Sequence, residues 1–225
     1  MRNSYIAKLT KLFEANKNDQ NAFWMKKYMR NQFEYYGIKT PLRKELAVAF
    51  ISEAGLPKPS DIEKIIDDLW NLPQREYQYF ADTLLFKMIP GLNKKHIKLF
   101  ERMIVNKSWW DTVDYIAAKL VGKHFENFPE LIPKHIKAWN SSGNLWLNRT
   151  AILFQLQYKK KTDINLLFDI IEKQAGSREF FIQKAIGWVL REYSKTDENA
   201  VRKFVMQTNL SSLSKREALK WLNRK

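Results

Sequence analysis

The sequence contains no cysteine, and only seven glycines, seven prolines and three histidines occur among its 225 residues. The absence of cysteine excludes disulfides, thiolate metal ligands and a cysteine nucleophile. His96, His124 and His135 are scattered without the spacing of metal ligands, so each is predicted to be an ordinary helix residue. No apolar run approaches the length of a transmembrane helix. We therefore expect no metal, no cofactor and no membrane partner.

The first thirteen residues alternate apolar and basic side chains. Lys8 and Lys11 interrupt the apolar positions, which predicts an amphipathic helix and not a signal peptide. We expect a soluble, intracellular protein in the cytoplasm.

Positive charge is the strongest bias in the composition. The chain has 39 Lys and Arg against 24 Asp and Glu, a formal net charge of +15. An excess of this size in a folded chain indicates a polyanionic partner. An acidic membrane surface is the competing explanation, but no single basic helix carries the excess. The distribution favours nucleic acid.

The rest of the chain consists of amphipathic stretches of about 10 to 15 residues, separated by the few glycines and prolines. Thr40 followed by Pro41 predicts a helix N-cap with proline at the first helical position. No alternating strand pattern exceeds a few residues. The fold class is predicted to be all-α, and residues 1–225 to form a single domain.

A weak repeat links three aromatic positions. Trp109, Trp146 and Phe181 follow one another at spacings of 37 and 35 residues. Each unit contains a more polar helix followed by a more aromatic one, which is typical of HEAT-like helix pairs. We predict a superhelical array of such pairs, in which the aromatic helices line a concave basic groove.

Residues 107–120 are predicted to form one helix with two faces. Trp110 and Asp114 lie four residues apart, so they lie side by side on one face of it. An indole beside a carboxylate suits a ligand or a transition state that carries positive charge. The same spacing is also common in helices with a purely structural role. Asp111 points elsewhere and is interpreted as structural.

Two later helices carry related features. Lys184, Trp188 and Arg191 fall on one helix face, which places an indole between two cations. Arg149 lies on an apolar stripe, where a guanidinium needs an anionic partner. That partner is either Asp114 on the preceding aromatic helix or a phosphate, and the pattern alone does not decide between them.

Residues 108–114, 147–156 and 180–193 together closely resemble the AlkD-like DNA glycosylase family. The resemblance covers nearly the whole chain, including Tyr28 and the turn before Thr40. It implies a helical superhelix that binds duplex DNA, excises alkylated purines, and leaves the damaged base in the helix. Carried over by position, the catalytic carboxylate matches Asp114, the two site tryptophans match Trp110 and Trp188, and the phosphate-contacting arginine matches Arg149.

This assignment agrees with the chemistry of the residues. A purine methylated at N3 or N7 is already cationic, so the glycosidic bond breaks without a general acid. Asp114 would stabilise the oxocarbenium-like sugar and orient the attacking water. The basic side chains Arg149, Lys184 and Arg191 would hold the DNA backbone, and the resemblance adds Tyr28 and Thr40 to the DNA-binding set.

We therefore expect a monomeric, nucleoid-associated, monofunctional glycosylase that releases 3-methyladenine or 7-methylguanine from double-stranded DNA. Two other classes of function remain open. The first is a non-enzymatic helical-repeat scaffold for nucleic acid, and the second is a repeat protein that binds an acidic peptide.

Overall fold

A computed structural model describes residues 4–224, and it is built from helices. The chain divides into two compact units, Met1–Asn93 and Lys94–Lys225. Within residues 4–224 no strand is present beyond one isolated bridge between Glu34 and Gln74. The predicted all-α class is confirmed. No helix among these residues has the length and apolar character needed to cross a membrane.

The first unit contains five α-helices, which are α1 (Ser4–Ala15), α2 (Asp19–Tyr28), α3 (Thr40–Ala54), α4 (Ile62–Asn71) and α5 (Arg75–Met88). Its core is aromatic. Phe13 lies 5.5 Å from Tyr77, and Phe50 lies 5.5 Å from Phe80, measured between ring centroids. These rings are buried in the core of the unit, where removal of apolar area from water stabilises the fold.

A fully buried carboxylate holds the turn that precedes α3. Glu76 accepts hydrogen bonds from the backbone N–H groups of Tyr36, Gly37 and Ile38, at 3.1, 3.0 and 3.2 Å. Gly37 has φ of +84°, and a Cβ there would lie 2.1 Å from the carbonyl oxygen of Asn18. Glycine is therefore required at this position. Burial raises the pKa of Glu76, and the backbone donors oppose the rise.

The start of α3 differs slightly from the prediction. Thr40 is the first helical residue instead of the N-cap, and Lys39 occupies the cap position without a side-chain hydrogen bond. Pro41 still lies in the first turn, where its missing N–H costs nothing. The hydrogen bonds that Glu76 accepts from Gly37 and Ile38, and not a side-chain cap, order the residues before this helix.

The second unit contains nine α-helices within the described residues. They are α6 (Ile97–Val105), α7 (Trp110–Tyr115), α8 (Gly122–Asn127), α9 (Ile132–Trp139), α10 (Leu145–Leu153), α11 (Ile164–Gln174), α12 (Phe180–Tyr193), α13 (Glu198–Gln207) and α14 (Ser212–Leu219). Taken as pairs, α9 precedes α10, α11 precedes α12, and α13 precedes α14. The second helices of these pairs pack on one another, since α10 contacts α12 and α12 contacts α14, and α10 also contacts α7. This order agrees with the predicted array of helix pairs.

The central helix of this unit is not one regular α-helix. Residues Ile116–Val121 form a π-helical segment between α7 and α8. The predicted start at Lys107 is wrong, because Lys107 has φ of +49° and Trp109 is an extended N-cap. Spacings of four, three and four residues predict an apolar stripe at Trp109, Val113, Ile116 and Leu120. The last three are 0% exposed, whereas Trp109 is partly exposed. π segments are rare and frequently mark functional sites.

Candidate functional site

Asp114 and Arg149 form a bidentate ion pair in the second unit. Arg149 donates from Nε to Asp114 Oδ1 at 2.6 Å and from Nη2 to Oδ2 at 2.8 Å. The side chains are 5% exposed for Arg149 and 15% exposed for Asp114, so water screens the pair weakly. The sequence allowed either Asp114 or a phosphate as the partner of Arg149, and in the structure Arg149 pairs with Asp114. Two parallel charge-assisted bonds fix the plane of that carboxylate.

A third contact fixes the guanidinium itself. Arg149 Nη1 donates to the backbone carbonyl of Phe181 at the start of α12. A guanidinium has five N–H donors, and Asp114 and Phe181 accept three of them. Two donors therefore remain, on a side chain that is only 5% exposed.

The local field acts on Asp114 in two directions. Burial raises the pKa of the Asp114 carboxyl, and the nearby Asp111 charge raises it further. The Arg149 guanidinium lowers the pKa through its hydrogen bonds and its charge. The two effects of Arg149 oppose those of burial and Asp111, and the net result places the pKa of Asp114 above that of an exposed aspartate.

Three aromatic rings from successive helix pairs meet close to this ion pair. Trp109 lies 5.8 Å from Trp146 and 5.3 Å from Phe181, and Trp146 lies 5.1 Å from Phe181, between ring centroids. Arg149 also lies 5.9 Å from the Phe181 ring. The residues that the sequence aligned as a repeat are therefore in mutual contact. Their packing places the starts of α7, α10 and α12 next to one another.

Trp110 and Trp188 occupy helices on either side of α10. Trp110 is the first residue of α7 and Trp188 lies in the second half of α12, and both are partly exposed. Ile182, Ile186 and Val189 form the buried face of α12. Trp188 is therefore displaced from this buried face and is partly exposed.

The two cations that flank Trp188 share one acidic partner. Glu217 on α14 accepts from Lys184 Nζ at 3.0 Å through Oε1 and from Arg191 Nη1 at 2.9 Å through Oε2. The Lys184 ammonium contributes most to holding the pKa of Glu217 below its usual value. In sequence alone, residues 214–217 are a basic run typical of a solvated cap at the end of a repeat array. The ion pairs of Glu217 were not predicted. Glu217 lies on the same face of α14 as the buried Ser214 and Ala218.

The remaining predicted DNA-binding residues belong to the first unit. Tyr28 ends α2 with 73% of its surface exposed, and Thr40 begins α3 in an exposed position. Helix α2 has no buried residue, and Phe23 and Trp24 are also exposed. These two aromatic residues were not predicted as site residues, and their ring centroids lie 5.2 Å apart.

No group of three or more His, Asp or Glu side chains suited to a metal ion occurs within residues 4–224. The arrangement that the structure does contain is a largely buried carboxylate, paired with and oriented by Arg149, whose guanidinium lies beside a cluster of indole and phenyl rings. Such an arrangement stabilises positive charge and binds flat or cationic groups.

Comparison with known proteins identifies a family and structures similar to this one. The family model described as DNA alkylation repair enzyme matches residues 9–222. A solved structure of a predicted DNA alkylation repair enzyme from Enterococcus faecalis is 32% identical in sequence, with a TM-score of 0.86. The match covers 93% of this chain and 98% of that one. A search of the curated proteins finds no match.

Proposed function

The chain belongs to the DNA alkylation repair enzyme family, and from that premise we propose that it is a monofunctional DNA glycosylase for cationic alkylpurines. It would hydrolyse the N-glycosidic bond of 3-methyladenine or 7-methylguanine in duplex DNA and leave an abasic site. The observation that carries this proposal is the oriented carboxylate of Asp114, held by Arg149 in the aromatic surroundings of the second unit.

The reaction needs little machinery, because methylation at N3 or N7 makes the purine a cationic leaving group. As the bond stretches, positive charge moves to the sugar. A carboxylate near C1′ stabilises that charge electrostatically, which is worth on the order of 3 to 4 kcal/mol for a single preorganised group. Asp114 is fixed before DNA arrives, so it does not have to reorganise in the transition state.

The two partly exposed tryptophans would contribute in a second way. Trp110 and Trp188 offer π faces that attract the developing charge, each worth about 0.5 to 2 kcal/mol. They would also pack against the deoxyribose and exclude water from it. The attacking water would be oriented by Asp114, whose ionised form accepts its hydrogen bond.

Contacts with the DNA backbone would come from the basic side chains. Lys184 and Arg191 are partly exposed on either side of Trp188, and Arg149 has two N–H donors to spare. Such contacts determine position more than sequence preference. We also propose that Tyr28 and Thr40 of the first unit contact DNA. The protein would act as a monomer in the cytoplasm, associated with the nucleoid.

The test is base release from duplex DNA that contains a single defined lesion. Free 7-methylguanine is measured by chromatography, and strand cleavage by a denaturing gel before and after alkali. We expect release of the cationic base, with strand breaks appearing only after alkali because a carboxylate forms no Schiff base.

Duplex DNA with uracil at the same position is the matched control, because its base is neutral. Release of uracil as readily as 7-methylguanine would contradict the charge-based mechanism. Tight DNA binding without release of any base would instead favour the non-enzymatic scaffold.

A further inference from the structure

Glu217 links the two cations that flank Trp188. Lys184 and Arg191 lie seven residues apart on α12, and the two oxygens of one carboxylate bind them separately. The side chain of Glu217 is 11% exposed, whereas those of Lys184 and Arg191 are 37% and 27% exposed. Glu217 is therefore the more buried member of the group, and Lys184 and Arg191 lie between it and the solvent.

A glycine allows this acid to approach. A Cβ at Gly187 would lie 2.4 Å from Glu217 Cβ and 3.0 Å from the carbonyl oxygen of Ser214. On the same interface, Ser214 Oγ donates to the carbonyl of Gln183 at 3.0 Å. Helix α14 therefore lies directly against the backbone of α12. The close approach at Gly187 and the hydrogen bond from Ser214 fix the position of Glu217 relative to that backbone.

The bridge leaves most of the donors of both cations unused. A lysine ammonium has three donors and a guanidinium has five, and Glu217 accepts one from each. Two like charges on one helix face repel each other, and an intervening carboxylate offsets that repulsion. It also restricts two long side chains that would otherwise lose rotamer entropy when they bind a phosphate.

We infer that Glu217 is a positioning residue that holds Lys184 and Arg191 in place for two phosphates of the DNA backbone. The inference rests on the proposed function, because it takes α12 as a DNA-contacting helix. Glu217 touches neither the sugar nor the base. Its effect on DNA passes through the two cations and through the placement of Trp188 between them.

The experiment is a double-substitution cycle on the binding of unmodified duplex DNA, followed by fluorescence anisotropy over a range of salt concentrations. Lys184→Met removes one cation, and Glu217→Gln removes the charge of the bridge while keeping its shape. With Glu217 present, we expect Lys184→Met to weaken binding roughly fivefold and to reduce the salt slope by about one. In the Glu217→Gln background we expect less than a twofold effect, because Lys184 is no longer held in place.

Glu198→Gln is the matched control. It removes one acid from an exposed ion pair with Arg202 on α13, at 2.9 Å, and so changes net charge equally. Lys184→Met should retain its fivefold effect in this background. If Glu217→Gln does not fold by circular dichroism, Glu217→Asp replaces it, and Lys184→Met should again have a smaller effect than in the wild type.

The sign of the coupling decides the outcome. An equal effect of Lys184→Met in both backgrounds means that Glu217 only packs α14, and a larger effect without Glu217 means that it masks the cations; either result overturns the inference. Base release from methylated DNA is measured on the same proteins. A wild type that shows the expected coupling but releases no base would refute the glycosylase proposal alone.

Discussion

Replacing Asp114 by asparagine removes the charge of the buried carboxylate while keeping its shape. The amide oxygen can still accept one hydrogen bond from Arg149, but the amide NH2 faces a second guanidinium N–H, so two donors meet. The guanidinium then remains buried without its counter-charge, because Phe181 supplies only a carbonyl. Asp114→Asn therefore tests the energetics of the pair and the chemistry of the site together.

The stability effect follows from the geometry. Breaking a buried ion pair by removing one charge costs about 3 to 5 kcal/mol, and the remaining hydrogen bond and partial exposure of Asp114 reduce this to roughly 2 to 4 kcal/mol. For a chain of this size each kcal/mol corresponds to about 2 to 4 °C. We expect the melting temperature of Asp114→Asn to fall by about 5 to 15 °C, measured by calorimetry at neutral pH.

The activity effect is expected to be larger than instability explains. Single-turnover release of 7-methylguanine, measured well below the lowered melting temperature, should slow by about a hundredfold to a thousandfold. Duplex binding should be unchanged or slightly tighter, because one negative charge is lost. Asp111→Asn is the control on the same helix and should stay within about threefold of the wild-type rate. Release by Asp114→Asn at more than a tenth of the wild-type rate would refute the proposed role of the carboxylate.

Three further predictions concern pH and packing. Activity needs the ionised form of Asp114, and burial raises the pKa of this carboxyl, so the acid limb of the rate profile should lie above about pH 3.9. Asp111→Asn removes a negative charge that also raises the pKa of Asp114. This variant should therefore move the acid limb to lower pH. An unmoved limb would exclude Asp114 as the titrating group. Burial lowers the pKa of His124 to about 4, whereas in the unfolded chain it is about 6.5. Below about pH 6.5 the unfolded chain therefore binds a proton at His124 that the folded chain does not. The free energy of unfolding should fall by about 3 kcal/mol between about pH 7 and 4. His124→Phe should flatten this part of the dependence in denaturant titrations, and identical slopes would contradict the assignment. Gly187→Ala should cost about 1 to 3 kcal/mol by forcing α12 and α14 apart, whereas Gly176→Ala, with open space around it, should be neutral in the same chemical unfolding assay.

Several features of the fold could be predicted because they depend on periodicity. The buried stripe of Val113, Ile116 and Leu120 follows from spacings of three and four residues, and the alignment of Trp109 with Trp146 anticipates a real contact. These features are local or repeated, so the sequence displays them directly.

The π segment could not be predicted in this way. Residues Ile116–Val121 have the composition of an ordinary helix, and their hydrogen-bond register depends on how neighbouring helices pack around them. The helix start at Trp110 was missed for a related reason, since Lys107 takes a left-handed conformation without being glycine or asparagine. Both features are set by tertiary structure, which overrides local propensity.

Charge pairing at the site was predictable only in part. A guanidinium on an apolar stripe requires an anion, so the Asp114 pairing of Arg149 was one of two named alternatives. The sharing of Glu217 by two cations joins residues 26 and 33 positions apart in sequence. A single sequence carries no signal for such a pairing until the packing of α14 on α12 is known.

The carboxylate that closes the turn before α3 has a consequence for the ligands of this basic protein. Successive backbone N–H groups of this kind form a receptor for phosphate or sulfate in many proteins, but here Glu76 occupies it permanently. Anions from the solvent therefore find no free backbone donors at residues 36–38. Glu76 is part of the chain, and because it is buried, salt screens its interactions weakly. The backbone geometry of Lys39 and Thr40 should therefore be the same at low and high ionic strength, and with or without DNA.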